Sequence, residues 1–289
     1  VIYNNSTKKL EINLYREQHK SDYYNRCFSN SESTIFISGT LRVESEDLKG
    51  DTLKYFKDSV GLNQVNNKEI EALPPITPIY DYKTRIKIAI PKDAEKYNYN
   101  DDSKFKEAFI EFIKKIADEV PSNILVLFCS NDRRDNAYKH LQQHYKNKDI
   151  NICKSNKELE KLSVSGNKTI FLGSRGQFQG ISLVGDKLNV VVLEKLPNIY
   201  QKDPQVDLRN KITGTESYNN YRAVNQPRVS MLLKQIFGRV IRSEYDYGYL
   251  FVYNGLQDNY NPDVNQLRNL FLEGEIIDNN IDNILNGVE

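Results

Sequence analysis

The 289-residue chain sets 40 Lys and Arg against 39 Asp and Glu, a net charge of +1, so any contact with nucleic acid must come from a local patch and not from a global field. Its three cysteines, Cys27, Cys129 and Cys153, have no C-x-x-C spacing, which argues against a disulfide framework or a cysteine metal cluster and for a reducing compartment, the cytoplasm or, in a eukaryote, the nucleus. The longest apolar runs, such as Val190 to Leu193, are far too short to span a bilayer, and no membrane is expected as a partner.

The chain opens at Val1 and reads as a piece of something longer. Apolar runs expected as strands follow at 34–38, 85–90, 124–129, 169–172, 190–193 and 249–253, with helix-like stretches at 104–120, 132–146, 157–163, 203–213 and 228–242 between most of them. Strands that are apolar throughout are buried on both faces, and their alternation with helices predicts an α/β fold, a three-layer sandwich on a mostly parallel sheet. The run 85–90 differs. Ile86, Ile88 and Ile90 alternate with polar or small residues, the pattern of a half-covered strand. The prolines of LPPITP (73–78) suit neither a helix nor a central strand and mark the boundary between a leading segment, 1–73, and the main unit, 74–289. The tail beyond 257 is rich in Asn and Asp, with a short helix expected near 263–273.

In the expected helix 228–242 an apolar stripe runs through Val229, Leu232, Leu233, Ile236, Phe237, Val240 and Ile241. At roughly 100° per residue, Gln235, Arg239 and Arg242 fall within about 60° of one another opposite that stripe. Gly238 lies beside them, and a glycine in mid-helix costs about 1 kcal/mol against alanine, so it invites a reason. From periodicity alone this face is either an anion site or a solvated surface.

The spacing Q-x-x-G-R-x-x-R, followed by Ser243, Asp246 and Gly248 as S-x-x-D-x-G, resembles motif VI of superfamily 2 helicases in its XPD/DinG-like form. The resemblance implies a second RecA-like domain facing a nucleotide held by a first. Arg242 would be the arginine finger and Arg239 its neighbour on the γ-phosphate. Gln235, Gly238, Arg239 and Arg242 would form the ATP-facing set, with Gln235 linking nucleotide and DNA sites. Phosphoryl transfer needs planar cations where charge accumulates on oxygen, which suits guanidinium.

Other blocks resemble the same branch in the same order. FLGSRGQFQGISLVGDKLNVVVLEKLP (171–197) is similar to the motif V region, which implies DNA-backbone contacts from Ser174, Arg175 and Gln177; Gln179 and Ser182 stand where the family usually has acidic residues. NILVLFCSNDRR (123–134) is similar to motif IV. Ser130 and Asn131 would offer a helix N-terminus to a phosphate, or serve simply as its cap, and Arg133 and Arg134 are read as solvent-facing. TIFISGTL (34–41) resembles motif III, the nucleotide-sensing end of the first domain, and IYDYKTRIKIAIPKD (79–93) resembles the opening of the second.

There is no G-x-x-x-x-G-K-[ST] and no D-E-x-[HD] after a strand; DEVP (118–121) reads as a helix end, and His140 and His144 as a solvated helix face with no metal. The resemblance therefore implies the C-terminal motor domain of a 5′→3′ ATP-dependent DNA helicase. Single-stranded DNA and the first RecA-like domain would be its partners. ATP and Mg2+ would be held mainly by that first domain, and no iron–sulfur cluster by this chain. Alone, the chain is expected to be inactive. The alternatives are a turnover-deficient nucleic-acid-binding or scaffolding module and an unrelated α/β binding domain.

Overall fold

The computed structural model describes residues 2–4, 9–11, 26–28, 31–43, 51–62, 70–75, 81–155, 157–158, 166–174, 188–199, 203–238, 240–241, 246–257, 262–269 and 275–287. The chain divides into two compact units, 1–76 with 198–231, and 77–197 with 232–289.

The second unit is built on a seven-stranded sheet. Its strands are β3 (Ile86–Pro91), β4 (Asn123–Leu127), β5 (Ile150–Cys153), β6 (Lys168–Gly173), β7 (Leu188–Leu193), β8 (Gly248–Val252) and β9 (Glu275–Asn279), in the order β5-β6-β4-β7-β8-β3-β9. Every pairing is parallel. All strands therefore end on one edge, the edge where α/β folds bind ligands.

Both faces of the sheet are covered. Ala89, Ile124, Val126, Ile170, Leu172, Val190, Val192 and Phe251 join one core with α3 (Ser103–Glu119), α4 (Asn131–His144) and α8 (Ile281–Leu285). The alternate residues Ile88, Leu125, Leu127, Val191, Leu193, Leu250 and Val252 are equally buried. α3 forms because Phe105, Phe109, Phe112, Ile113 and Ile116 recur at helical spacing on one side, all buried. It ends as Val120 turns extended ahead of Pro121, so Asp118 and Glu119 of the DEVP stretch close a helix. The Lys168 ammonium donates to the carbonyls of Ala117 and Val120 and so satisfies this helix end; burial draws its pKa down.

Two expectations are corrected in this unit. The run 85–90 is not half-covered: β3 lies between β8 and β9, and only Lys87 among its residues escapes full burial. Strands β5 and β9, the two sheet edges, each carrying polar residues and only partly buried, were not expected. The tail carries a helix, α7 (Pro262–Asn269), where one was expected, and then β9; 270–274 lie outside the described residues.

In the first unit, β1 (Ile2–Asn4) pairs antiparallel with β2 (Lys9–Glu11). The helices are α1 (Lys54–Val60), α5 (Pro204–Thr213) and the opening of α6 (Tyr218–Phe237), and α2 (Tyr82–Arg85) belongs to the second unit. α5 starts where the Asp203 carboxylate accepts the Gln205 N–H at 2.9 Å and stops at Gly214, whose φ of 70° needs a glycine. The run 34–38 is not a strand. Ile35 and Ile37 are 82% and 89% exposed, while Phe36 packs edgewise on Phe28 and Phe56. No strand among the described residues pairs with it, and an apolar run without a partner does not form sheet.

Candidate nucleic-acid interface

Strands β4 and β6 are neighbours, and their C-terminal ends stay in register where the Phe128 N–H donates to the Gly173 carbonyl at 2.9 Å. That pairing brings together three of the expected residues. Ser130 is the N-cap of α4, extended at φ −140°, ψ 138°, and its side chain makes no capping bond. Asn131 is the first helical residue and is exposed. Ser174 follows the last residue of β6, is buried, and its hydroxyl accepts from Arg134 Nη1 at 3.2 Å. The first turn of α4 also carries Asp132, which suits the helix dipole but opposes a second anion.

Arg133 and Arg134 are not solvent-facing. Arg133 is 10% exposed and grips Glu194, 1% exposed, through Nε at 2.5 Å and Nη2 at 3.2 Å. Glu194 also accepts the Cys129 N–H at 2.9 Å, so one carboxylate joins the end of β7 to the β4–α4 turn. Asp102 adds a second anion at 3.6 Å from Arg133. Burial works against the charge on Arg133, but its hydrogen bonds to Glu194 and the charge of that carboxylate together hold its pKa up. Arg134 takes Asp135, which also accepts Lys154 Nζ at 2.9 Å; Lys154 and then Arg134 hold this carboxyl below its usual value. Two cations thus share one carboxylate beside Ser174. Glu194 escaped the sequence reading. Its signal was an acid directly after the apolar run of β7, where a charge needs a partner.

The expected helix 228–242 is corrected at both ends. α6 begins at Tyr218 and continues through Pro227, but stops at Phe237, where the Gly238 N–H donates to the Lys234 carbonyl at 3.1 Å. Val229, Leu233 and Ile236 of the stripe are fully buried, while Gln235 is half-buried. Arg239 and Arg242, with Arg175, Gln177, Gln179, Ser182 and Ser243, lie outside the described residues. Gly238 is exposed, and among the described residues a Cβ there would meet only the Lys234 and Gln235 carbonyls, at 3.5 Å or beyond. Gly248 has a steric reason to be glycine: a Cβ would sit 2.1 Å from the Asn189 carbonyl oxygen of β7.

A family model described as "Helicase C-terminal domain" matches residues 113–257, a span that contains the ends of β4, β6, β7 and β8. A Bacillus subtilis protein named 3′-5′ exonuclease DinG is 23% identical over 231 residues, 78% of this chain and 24% of that one. A Photobacterium profundum protein named ATP-dependent DNA helicase DinG is 24% identical over 229 residues, 76% of this chain and 31% of that one. A solved structure titled XPD helicase superposes at a TM-score of 0.50 and 17% identity, over 67% of this chain and 35% of that one, a likeness of RecA-like fold. The chain spans about a quarter of the length of the first curated relatives it matches.

Proposed function

Because the chain belongs to the helicase C-terminal domain family, we propose that it is the second motor domain of an XPD/DinG-like ATP-dependent DNA helicase. The observation that carries this reading furthest is the meeting of Ser130, Asn131 and the Ser174–Arg134 pair at the ends of adjacent parallel strands. In this reading a phosphate of single-stranded DNA sits on the free N–H groups of α4. Arg134, oriented by Ser174, and Lys154 supply the positive charge behind it, and Arg175 and Gln177 extend the contact along the backbone. Arg133 does not take part, since its charge is already matched by Glu194 and Asp102.

Arg242 acts as the arginine finger and Arg239 as its neighbour on the γ-phosphate. Gln235 and Gly238 complete the ATP-facing surface, with ATP and Mg2+ held by a preceding RecA-like domain. Residues 1–73 hold the last piece of that domain and 74–289 the second domain. The exposure of Ile35 and Ile37, two apolar side chains left uncovered by the described residues, supports this. Translocation runs 5′→3′. ATP closes the cleft and hydrolysis opens it, and the two domains grip the strand in turn.

The test has two arms. The 289-residue chain alone should release no phosphate from ATP, yet should bind single-stranded DNA weakly, with affinity falling steeply as salt rises. ATP hydrolysis by the chain alone, stimulated by DNA and lost in Arg242→Ala, overturns the two-domain reading. If Arg175→Ala leaves affinity and salt slope unchanged, the motif V loop is not a contact. A turnover-deficient module is the second reading, favoured by Gln179 and Ser182 in place of acids. It predicts the same DNA binding with no hydrolysis by the full-length protein.

A further inference from the structure

The loop between β3 and α3 follows a path that the proposed contacts do not account for. It leaves β3 where the Lys92 N–H donates to the Asn279 carbonyl at 2.9 Å. The Glu95 N–H then donates to the Tyr253 hydroxyl at 3.2 Å, beyond the end of β8. Next, Tyr97 takes Lys195 Nζ over its ring at 3.4 Å, beyond the end of β7, with Arg133 of α4 at 5.4 Å from the same ring. Asp102, at the start of α3, returns to Arg133 at 3.6 Å. The loop thus crosses the ends of β8 and β7 and arrives at the first turn of α4, beside Ser130 and Asn131.

Between the two residues that touch Arg133 stands Tyr99, 76% exposed. Only Tyr99 and Tyr247 are large exposed apolar side chains among the described residues of this unit, and Tyr247 precedes β8, at the opposite edge of the sheet. Tyr99 lies two residues from Tyr97, so its Cα is within about 7 Å of one that is itself in contact with the first turn of α4. The surrounding backbone is held: the Asn100 N–H donates to Asn98 Oδ1 and the Ser103 N–H to Asp101 Oδ1, both at 3.0 Å.

Charge decides what this loop can meet. Residues 92–102 hold four acids (Asp93, Glu95, Asp101, Asp102) against two bases (Lys92, Lys96), a net of −2. Phosphates are repelled by such a loop, whereas nucleobases, neutral and flat, are not. Across α4, Arg134 and Lys154 share the carboxylate of Asp135, with Asp132 the acid of the first turn and Glu158 beside Lys154, so cations there face the strand ends.

We propose that Tyr99 is a base-stacking platform. It fixes the orientation of the bound strand, with the sugar–phosphate backbone over the ends of β4 and β6 and the bases turned towards the β3–α3 loop. This rests on the single-stranded DNA reading and adds to it the side from which the bases are held. A tyrosine ring stacks on any base, so the contact is indifferent to sequence.

The test is the affinity of the 289-residue chain for an oligothymidylate and for an abasic strand of equal length, as wild type, Tyr99→Ala and Tyr99→Phe, each at several salt concentrations. Tyr99→Ala should bind oligothymidylate about 5- to 100-fold more weakly, the worth of one stacked base. Its salt slope should be unchanged, because no phosphate contact is lost. Tyr99→Phe should bind as wild type does, and the abasic strand should bind wild type and Tyr99→Ala alike. Wild-type affinity in Tyr99→Ala, an equal loss on the abasic strand, or a reduced salt slope each overturns the stacking role and leaves single-strand binding standing. A wild-type chain that binds neither strand overturns the DNA reading itself, and the platform with it. Far-ultraviolet circular dichroism of the variants should match wild type, since the ring is exposed.

Discussion

Replacing Glu194 by alanine tests how the β4–α4 turn is held. The carboxylate is 1% exposed and makes three hydrogen bonds, two to Arg133 and one to the Cys129 N–H. Removing it strands a guanidinium that is only 10% exposed. Breaking a buried pair by deleting one partner costs about 3–5 kcal/mol. Asp102 remains 3.6 Å from Arg133 and offsets part of that, so the lower end applies, about 3 kcal/mol. At about 1.4 kcal/mol per decade the folding constant falls more than 100-fold. Removing both partners should cost much less than the two single changes combined, because an apolar pair of similar volume leaves no buried charge. Urea unfolding of wild type, Glu194→Ala, Glu194→Leu, Arg133→Leu and Arg133→Leu/Glu194→Leu, read by circular dichroism, supplies both the truncation and a closed cycle of the leucine variants. A loss under about 1 kcal/mol for Glu194→Ala, within the range of surface pairs, would refute the buried clamp. So would a double variant as unstable as the sum of the single ones.

In the full-length protein Arg242→Ala should lower DNA-stimulated ATP turnover by about 10³–10⁵ with little change in melting, and Arg242→Lys should rescue poorly because an ammonium lacks the planar fork. Rates within a few-fold of wild type in both variants would leave the arginine as a solvated side chain. Gly248→Ala drives a Cβ to 2.1 Å from the Asn189 carbonyl oxygen, so β7 and β8 must part; a loss of about 1–3 kcal/mol is expected in denaturant unfolding. Burial pushes the Cys153 thiol up from 9.0 to about 12, so it should resist thiol reagents in the folded chain while the exposed Cys27 reacts. The sign of the linkage follows: the unfolded thiol releases its proton first, so this group's contribution to stability is intact below about pH 9 and declines as the pH rises towards 12. Rapid labelling of Cys153 at pH 8 without unfolding would contradict that burial.

The sequence by itself determined the α/β class, because the runs at β4, β6, β7 and β8 are apolar at consecutive positions and only strands covered on both faces need that. It also determined the placement of Ser130 at a helix N-terminus and the apolar stripe of α6, since both are local patterns. β5 and β9 escaped it because edge strands expose one side and lose the apolar signature. The length of α6 escaped it because periodicity continues in letters past Gly238, and Val240 and Ile241 are buried although the helix stops at Phe237. Only the tertiary structure decided the partners of Arg133, Arg134 and Glu194. Residues 133 and 194 are 61 positions apart and meet because β4 and β7 pair in parallel, a fact of strand order that no local pattern carries. The same strand order carries the β3–α3 loop to the first turn of α4, where Tyr97 and Asp102, on either side of Tyr99 in the sequence, meet Arg133.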